Sequence, residues 1–224
     1  MSLAAVIDNN ARWCDVVART HGIDGAFAPT AWTSPTRTPR FYPDAITLAP
    51  GVSADDVLAR IDLTTPDASV KDSFADLDLA AAGFEELFAA SWFTCPPGGD
   101  QPDAWAPIDE RDFDRWVESW SGADKSAAPL RPEVLDDPDV LVLAEPLDDR
   151  IIAGAVAYRT DDVVGVTNLF AHRGGEQSWP RLLAGIARHW PTSTVVGYAG
   201  DADLMRLANF GVVRIGPLRV WIKP

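Results

Sequence analysis

Residues 172–180, HRGGEQSWP, stand between a β-rich run and a run of helical periodicity. Glycines leading into a helix N-terminus suit a bound phosphate, because unpaired backbone N–H groups point outward there. Glu176 sets a carboxylate where that phosphate would sit. Other groups able to do chemistry are few. Tyr198, in the short run TVVGYA, is a phenol that could move a proton, or a core tyrosine with one hydrogen-bonded tip. Cys14 and Cys95 are far apart, and His21, His172 and His189 lack ligand spacing, so no metal is expected.

Bulk composition narrows the function classes. The 224 residues are 47% hydrophobic and 23% charged, an ordinary globular balance. A net charge of −14 speaks against nucleic acid, whose binding needs Lys and Arg to neutralise phosphate. It weakly favours small cationic partners such as amines, while solubility alone is the simpler account of it. No apolar run reaches the ~20 residues of a membrane span, and no signal-peptide pattern opens the chain. Two lone thiols fit a reducing, cytoplasmic compartment. A homo-oligomer is left open.

The elements that must position these groups follow from periodicity. Leu3, Val6, Ile7, Asn10, Trp13, Cys14 and Val17 predict an amphipathic helix over 3–20, stopped by Gly22. The stretch FAPTAWTSPTRTPRFYP reads as irregular, and AITL (45–48) as a strand. Ser53 resembles the cap of a helix carrying Val57, Leu58 and Ile61. Residues 95–107, with four prolines and two glycines, read as a linker. Phe113, Trp116, Val117 and Trp120 mark a core-facing helix. Three β-rich runs, 139–146, 150–159 and 163–171, are separated by Asp148-Asp149 and Asp161-Asp162, which predicts an antiparallel meander. Ser178 then reads as an N-cap, with Pro180 in the first turn of a helix buried through Leu182, Leu183, Ile186 and Trp190. A strand (194–199), a short helix ending near Gly211 and one or two closing strands complete the chain.

From about residue 104 this order resembles the GNAT acetyltransferase superfamily. Gly154 in IIAGAVAY and Asn168 in GVTNLFA look like its second and third meander strands, and NFGVVRIGPLRVW is similar to its closing segment. The resemblance implies an α/β (α+β) fold, a mixed, mainly antiparallel sheet flanked by helices. It also implies transfer of an acetyl or acyl group from acetyl-CoA, the co-substrate, to the amine of a small molecule, or an inactive relative serving as a ligand-binding or interaction module. In that family the cofactor lies where two parallel strands splay apart, its pyrophosphate on a loop patterned Arg/Gln-x-x-Gly-x-Gly/Ala. Carried over, Leu169, Phe170, Ala171, Arg173, Gly174, Gly175, Gln177 and Ser178 would hold acetyl-CoA, and Asn168 and Tyr198 would serve catalysis. Two departures stand out. Started at Arg173, the pattern meets Glu176 and Ser178 at its small positions; started at His172, it meets Gly175 and then Gln177. The family's usual tyrosine, four residues before the Gly of "GF", is Leu207 here, which leaves Tyr198 as the nearest phenol.

The first half has a similar grammar. AITLAPGVSADDVLARID parallels WAPIDERDFDRWVESWSG, and SVKDSFADLDLAAAGFEELFAASWF parallels the closing 194–222 segment, matching Gly83 with Gly211 and Trp92 with Trp221. Residues 1–98 therefore read either as a helix plus a truncated GNAT-like α+β unit, or as a coincidence of Ala- and Asp-rich sequence. Residues 99–224 read as the acyl-CoA-binding domain.

Glu176 generates a test. A carboxylate about 6 Å from a pyrophosphate charge is repelled by roughly 0.7 kcal/mol at the dielectric of water and roughly 2.8 kcal/mol at an effective dielectric of ~20. That is about a three- to hundred-fold loss of affinity. Glu176→Gly is expected to tighten CoA binding in a calorimetric titration. Unchanged or weaker binding would show that the phosphates go elsewhere.

Overall fold

A computed structural model describes residues 1–99, 101–122, 129–147, 150–172 and 175–224. One 11-stranded mixed sheet runs through it in the order β1-β2-β3-β4-β11-β5-β10-β9-β8-β7-β6. The strands are β1 (Ala26–Phe27), β2 (Ala31–Thr33), β3 (Ala45–Thr47), β4 (Ala68–Asp72), β5 (Glu85–Cys95), β6 (Ala106–Pro107), β7 (Val140–Leu147), β8 (Arg150–Thr160), β9 (Val163–Ala171), β10 (Thr194–Ala199) and β11 (Val213–Lys223). Helices α1 (Leu3–Thr20) and α3 (Glu110–Ser121) cover one face. The other face carries α2 (Ala54–Leu58), α4 (Gly175–His189) and α5 (Asp201–Leu207).

The helix expected over 3–20 is α1, whose Ser2 side chain accepts from the Ala5 N–H. Its stripe buries Val6, Ile7, Trp13 and Val17 against the sheet. The expected meander is β7–β8–β9, antiparallel throughout, although the Asp148-Asp149 turn lies outside the described residues. Trp116 of α3 buries its ring over β8 and donates Nε1–H to the Leu143 carbonyl at 2.9 Å. Gly154 is small for that reason, since a Cβ there would meet Trp116 Nε1 at 2.3 Å.

Several elements differ from the sequence reading. The proline- and threonine-rich stretch contains β1 and β2, because Trp32 is drawn fully into the core and donates to Asp15. Ser53 sits at the α2 N-cap without a side-chain cap bond, and α2 ends at Leu58, leaving Ile61 beyond it. Helix α4 begins at Gly175, so Ser178 lies inside it and is no N-cap. Pro180 is likewise an interior residue, the sixth of the helix, so its missing N–H forgoes one i→i−4 bond. The 95–107 segment is anchored at Trp105. Trp105 is buried and donates to Glu145, and its backbone N–H bonds the Arg181 carbonyl.

The middle of the sheet interleaves the two halves of the chain. β5 is antiparallel to both β10 and β11, and β11 is antiparallel to both β5 and β4. The order β3-β4-β11-β5-β10-β9 is thus symmetric, with a parallel pair at each flank. Gly83 (φ 82°) and Gly211 (φ 80°) each end a three-residue 3-10 turn in the left-handed region and release β5 and β11. Trp92 and Trp221 are not equivalent in this frame. Trp92 packs with Val220 on the α1 face, whereas Trp221 packs with Val57 and Leu58 on the α2 face.

Because β5 fills the gap between β10 and β11, chain cleaved between residues 95 and 104 is expected to stay associated under native conditions. Limited proteolysis followed by size exclusion checks this. Clean release of a folded, soluble 104–224 fragment would contradict it.

Candidate functional site

β9 and β10 are parallel and bonded only over Thr194↔Val163, Val195↔Val164 and Val196↔Gly165. β10 continues along β5 as far as Ala199↔Ser91, and β9 continues along β8 as far as Ala171↔Ala153. Past Gly165 and Gly197 the two strands therefore part, each held by its outer neighbour. A cleft of about 650 Å³ opens between them. Its walls come from residues 166–171 of β9 and from Tyr198 and Ala199 of β10. Ser178 and Trp179 of α4 and Leu207 of α5 close it on the helical side.

A bulge shapes the β9 wall. Gly154 pairs with Phe170 and Val156 with Thr167, so the ladder slips where Asn168 and Leu169 oppose Ala155. Asn168 takes φ +51°, a left-handed backbone that asparagine tolerates better than most residues. Its side chain is fixed by Tyr42, whose hydroxyl donates to Asn168 Oδ1 at 3.2 Å. Burial, chiefly, pushes the Tyr42 phenol far above its ordinary pKa, so it stays a donor at any physiological pH. Next along the strand, the Phe170 ring turns to Trp116, centroids 5.3 Å apart, while Leu169 is exposed beside the cleft.

The opposite wall is aromatic. Tyr198 is half-buried, edge-on to Trp92 at 5.4 Å and stacked on Phe88 at 6.4 Å. Leu207, at the position where the family resemblance would put a tyrosine, also borders the cleft. It offers no proton.

The structure gathers Asn168, Leu169, Phe170, Ala171, Ser178 and Tyr198 at one cleft. Arg173 and Gly174 lie outside the described residues, as do the side chains of Gly175, Glu176 and Gln177. His172 turns its ring Nε2 to the Ser119 carbonyl at 3.0 Å. Sequence reasoning missed Tyr42, which lies in the stretch read as irregular and meets Asn168 only through the fold. It also missed Arg206, which reaches the cleft mouth from α5 and pairs with Asp203 at 3.2 Å. Among the described residues, no helix is long and apolar enough to cross a membrane.

No protein-family model and no curated protein matches the sequence. Solved structures do match the fold. A GCN5-related N-acetyltransferase from Kribbella flavida is 14% identical, with a TM-score of 0.58 over 96% of this chain and 95% of its own. A conserved protein of unknown function from Staphylococcus epidermidis is 10% identical, with a TM-score of 0.62 over 88% and 92%. Saccharomyces cerevisiae N-myristoyltransferase, solved with bound myristoyl-CoA, is 7% identical, with a TM-score of 0.51 over 70% of this chain and 51% of that one. The likeness thus extends well beyond the portion from residue 104 in which the sequence displays it. At these identities it speaks for the fold, which is the GNAT fold.

The bulge predicts an order of stabilities. Asn168→Ala is expected to lose about 1–2 kcal/mol from the left-handed backbone, in addition to the Tyr42 bond. Asn168→Gly keeps the backbone and loses only the bond, worth about 1 kcal/mol. Urea unfolding should rank wild type above Asn168→Gly above Asn168→Ala; equal values for the two variants would remove the backbone argument.

Proposed function

We propose, on the premise of the GNAT fold, that this protein transfers an acyl group from acetyl-CoA or another acyl-CoA to the amine of a small molecule. The observation that carries this reading is the cleft between the parted ends of β9 and β10. Residues 166–171 leave one backbone edge without a strand partner there, which suits an extended pantetheine arm laid along it. Leu169, Phe170 and Ala171 would hold that arm. Gly175, Gln177 and Ser178, with Arg173 and Gly174, would meet the pyrophosphate at the start of α4.

In the step itself, the neutral amine nitrogen attacks the thioester carbonyl, the carbon–sulfur bond breaks, and the thiolate leaves. The amine surrenders one proton and the thiolate takes up one. Tyr198 is the group proposed to give the sulfur its proton, with Leu207 in the usual donor's position. Asn168 shapes the strand that orients the thioester. Much of the acceleration would come from holding the two reactants together.

A second reading is a catalytically inactive GNAT-fold protein that serves as a ligand-binding or interaction module. Leu207 at the usual donor position, together with Glu176 in the loop, favours it. We propose also that residues 1–98 form a truncated GNAT-like unit. The matched left-handed Gly83 and Gly211 and the symmetric strand order support this.

Calorimetric titration with acetyl-CoA and CoA is expected to give one site per chain. Tyr198→Phe should leave that affinity unchanged and slow transfer by about a hundredfold, the low end of the range for a positioned acid. Binding without transfer to any amine would select the ligand-binding form of the second reading, and no binding would overturn the acyl-transfer reading in favour of an interaction module.

A further inference from the structure

We propose that Lys71 is an anion site of this reaction, binding a carboxylate carried by one of the two reactants close to the reacting carbonyl. The inference rests on the acyl-transfer reading. Lys71 is only 4% exposed. Its Nζ donates to Asn10 Oδ1 at 2.8 Å and lies 4.6 Å from the centroid of the Tyr198 ring. Among the described residues no carboxylate pairs with it in an ion pair. An ammonium carries three N–H donors, and Asn10 takes one. A buried ammonium left in that state is costly, so the site has a reason to take an anion.

A protein counter-ion would have been easy to supply. The chain carries 33 acidic residues, and two of them are fully buried nearby, Asp72 next in sequence and Asp44 just before the strand paired with β4. Both are engaged elsewhere. Asp44 is held by Arg37, by the hydroxyl and N–H of Thr38 and by the Ser69 N–H. Asp72 accepts from the N–H groups of Phe74, Asp76 and Leu77. Cys14, which also feels Lys71, remains a thiol, because burial raises its pKa. The chain has three lysines only, Lys71, Lys125 and Lys223, and one of them is set in the core. There a compact ammonium on a flexible stem fits where the broad arginine fork would not.

Register explains how Lys71 comes to face Tyr198, a residue of the cleft wall. It sits opposite Val220 on β11, as Tyr198 sits opposite Trp92 on β5. Within the β5–β11 ladder Val220 pairs with Phe88, and Trp92 with Gly216. Lys71 and Tyr198 therefore occupy matching places in the symmetric sheet, and their side chains meet across its two central strands. Tyr198 also lines the cleft. An anion on Lys71 would therefore sit beside the Tyr198 ring, whose phenol is the group proposed to serve the thioester.

The carboxylate has two chemical sources, an amino-acid acceptor or a dicarboxylic acyl-CoA. Two matched pairs separate them: phenylalanine against phenethylamine with acetyl-CoA, and succinyl-CoA against acetyl-CoA with phenethylamine. In one pair the carboxylate-bearing member should have at least a tenfold higher kcat/KM. In Lys71→Met that preference should fall below about threefold, with Lys71→Gln as a second variant should the first fold poorly. Calorimetric affinity for acetyl-CoA should be unchanged in either. No preference in both pairs, including no transfer at all, or a preference that survives in the variants, overturns the role of Lys71 alone. Failure of the wild type to bind acetyl-CoA overturns the acyl-transfer reading, and this inference with it.

Discussion

The backbone bonding of β10 decides what the molecule can do. On one edge it follows β5 for five residue pairs, and on the other it follows β9 for three. A strand cannot stay parallel to one neighbour while it tracks another that leans away, so the shorter ladder gives way. The cleft is what remains of the hydrogen bonds that β9 and β10 do not make. Local details reinforce the parting. Asn168 turns β9 through a bulge, and Gly197 lets the Phe93 ring close behind β10 at a distance where a Cβ would clash at 2.8 Å.

Above this opening lies α1, which settles how near the opposite face can come. Asn9 donates to the Tyr158 carbonyl and to Thr160 Oγ1, both at 2.9 Å, and so pins the helix to the strand ends. Gly165 admits that contact; a Cβ there would meet Asn9 Oδ1 at 2.0 Å. Asn9 thus fixes the height of this amphipathic helix over the sheet. Asn10, the next residue, is the one that meets Lys71. The two asparagines divide the work, one holding the scaffold and one facing the charge.

What the sequence made legible follows from whether the signal is local. Helices α1 and α3 and the meander are written in period and turn residues within single windows, and they lie where those windows put them. The start of α4 was misplaced because Ser178 and Pro180 make a good local beginning, yet the helix runs back to Gly175. β2 was missed because three residues carry no period; Trp32 makes it a strand by packing against α1. The Trp92–Trp221 match failed because Trp92 stands nine residues beyond Gly83 and Trp221 ten beyond Gly211, an odd difference that sends the two rings to opposite faces. Among site residues, those on the β9 run and Tyr198 were visible through a family resemblance. Tyr42 and Lys71 were not, because each reaches its partner from more than a hundred residues away.

The interleaved centre of the sheet also has a consequence in time. β4 and β5 are complete long before β10 and β11 exist, yet the places beside them belong to those later strands. During synthesis the early half must hold three unpaired edges open, one on β4 and two on β5, while more than a hundred further residues emerge. Long-range pairings of this kind slow folding, and bare edges invite association with other chains. Nascent chains should therefore depend on chaperones that shield β4 and β5, and rare, slow translation between residues 100 and 190 would lengthen the exposure instead of helping it.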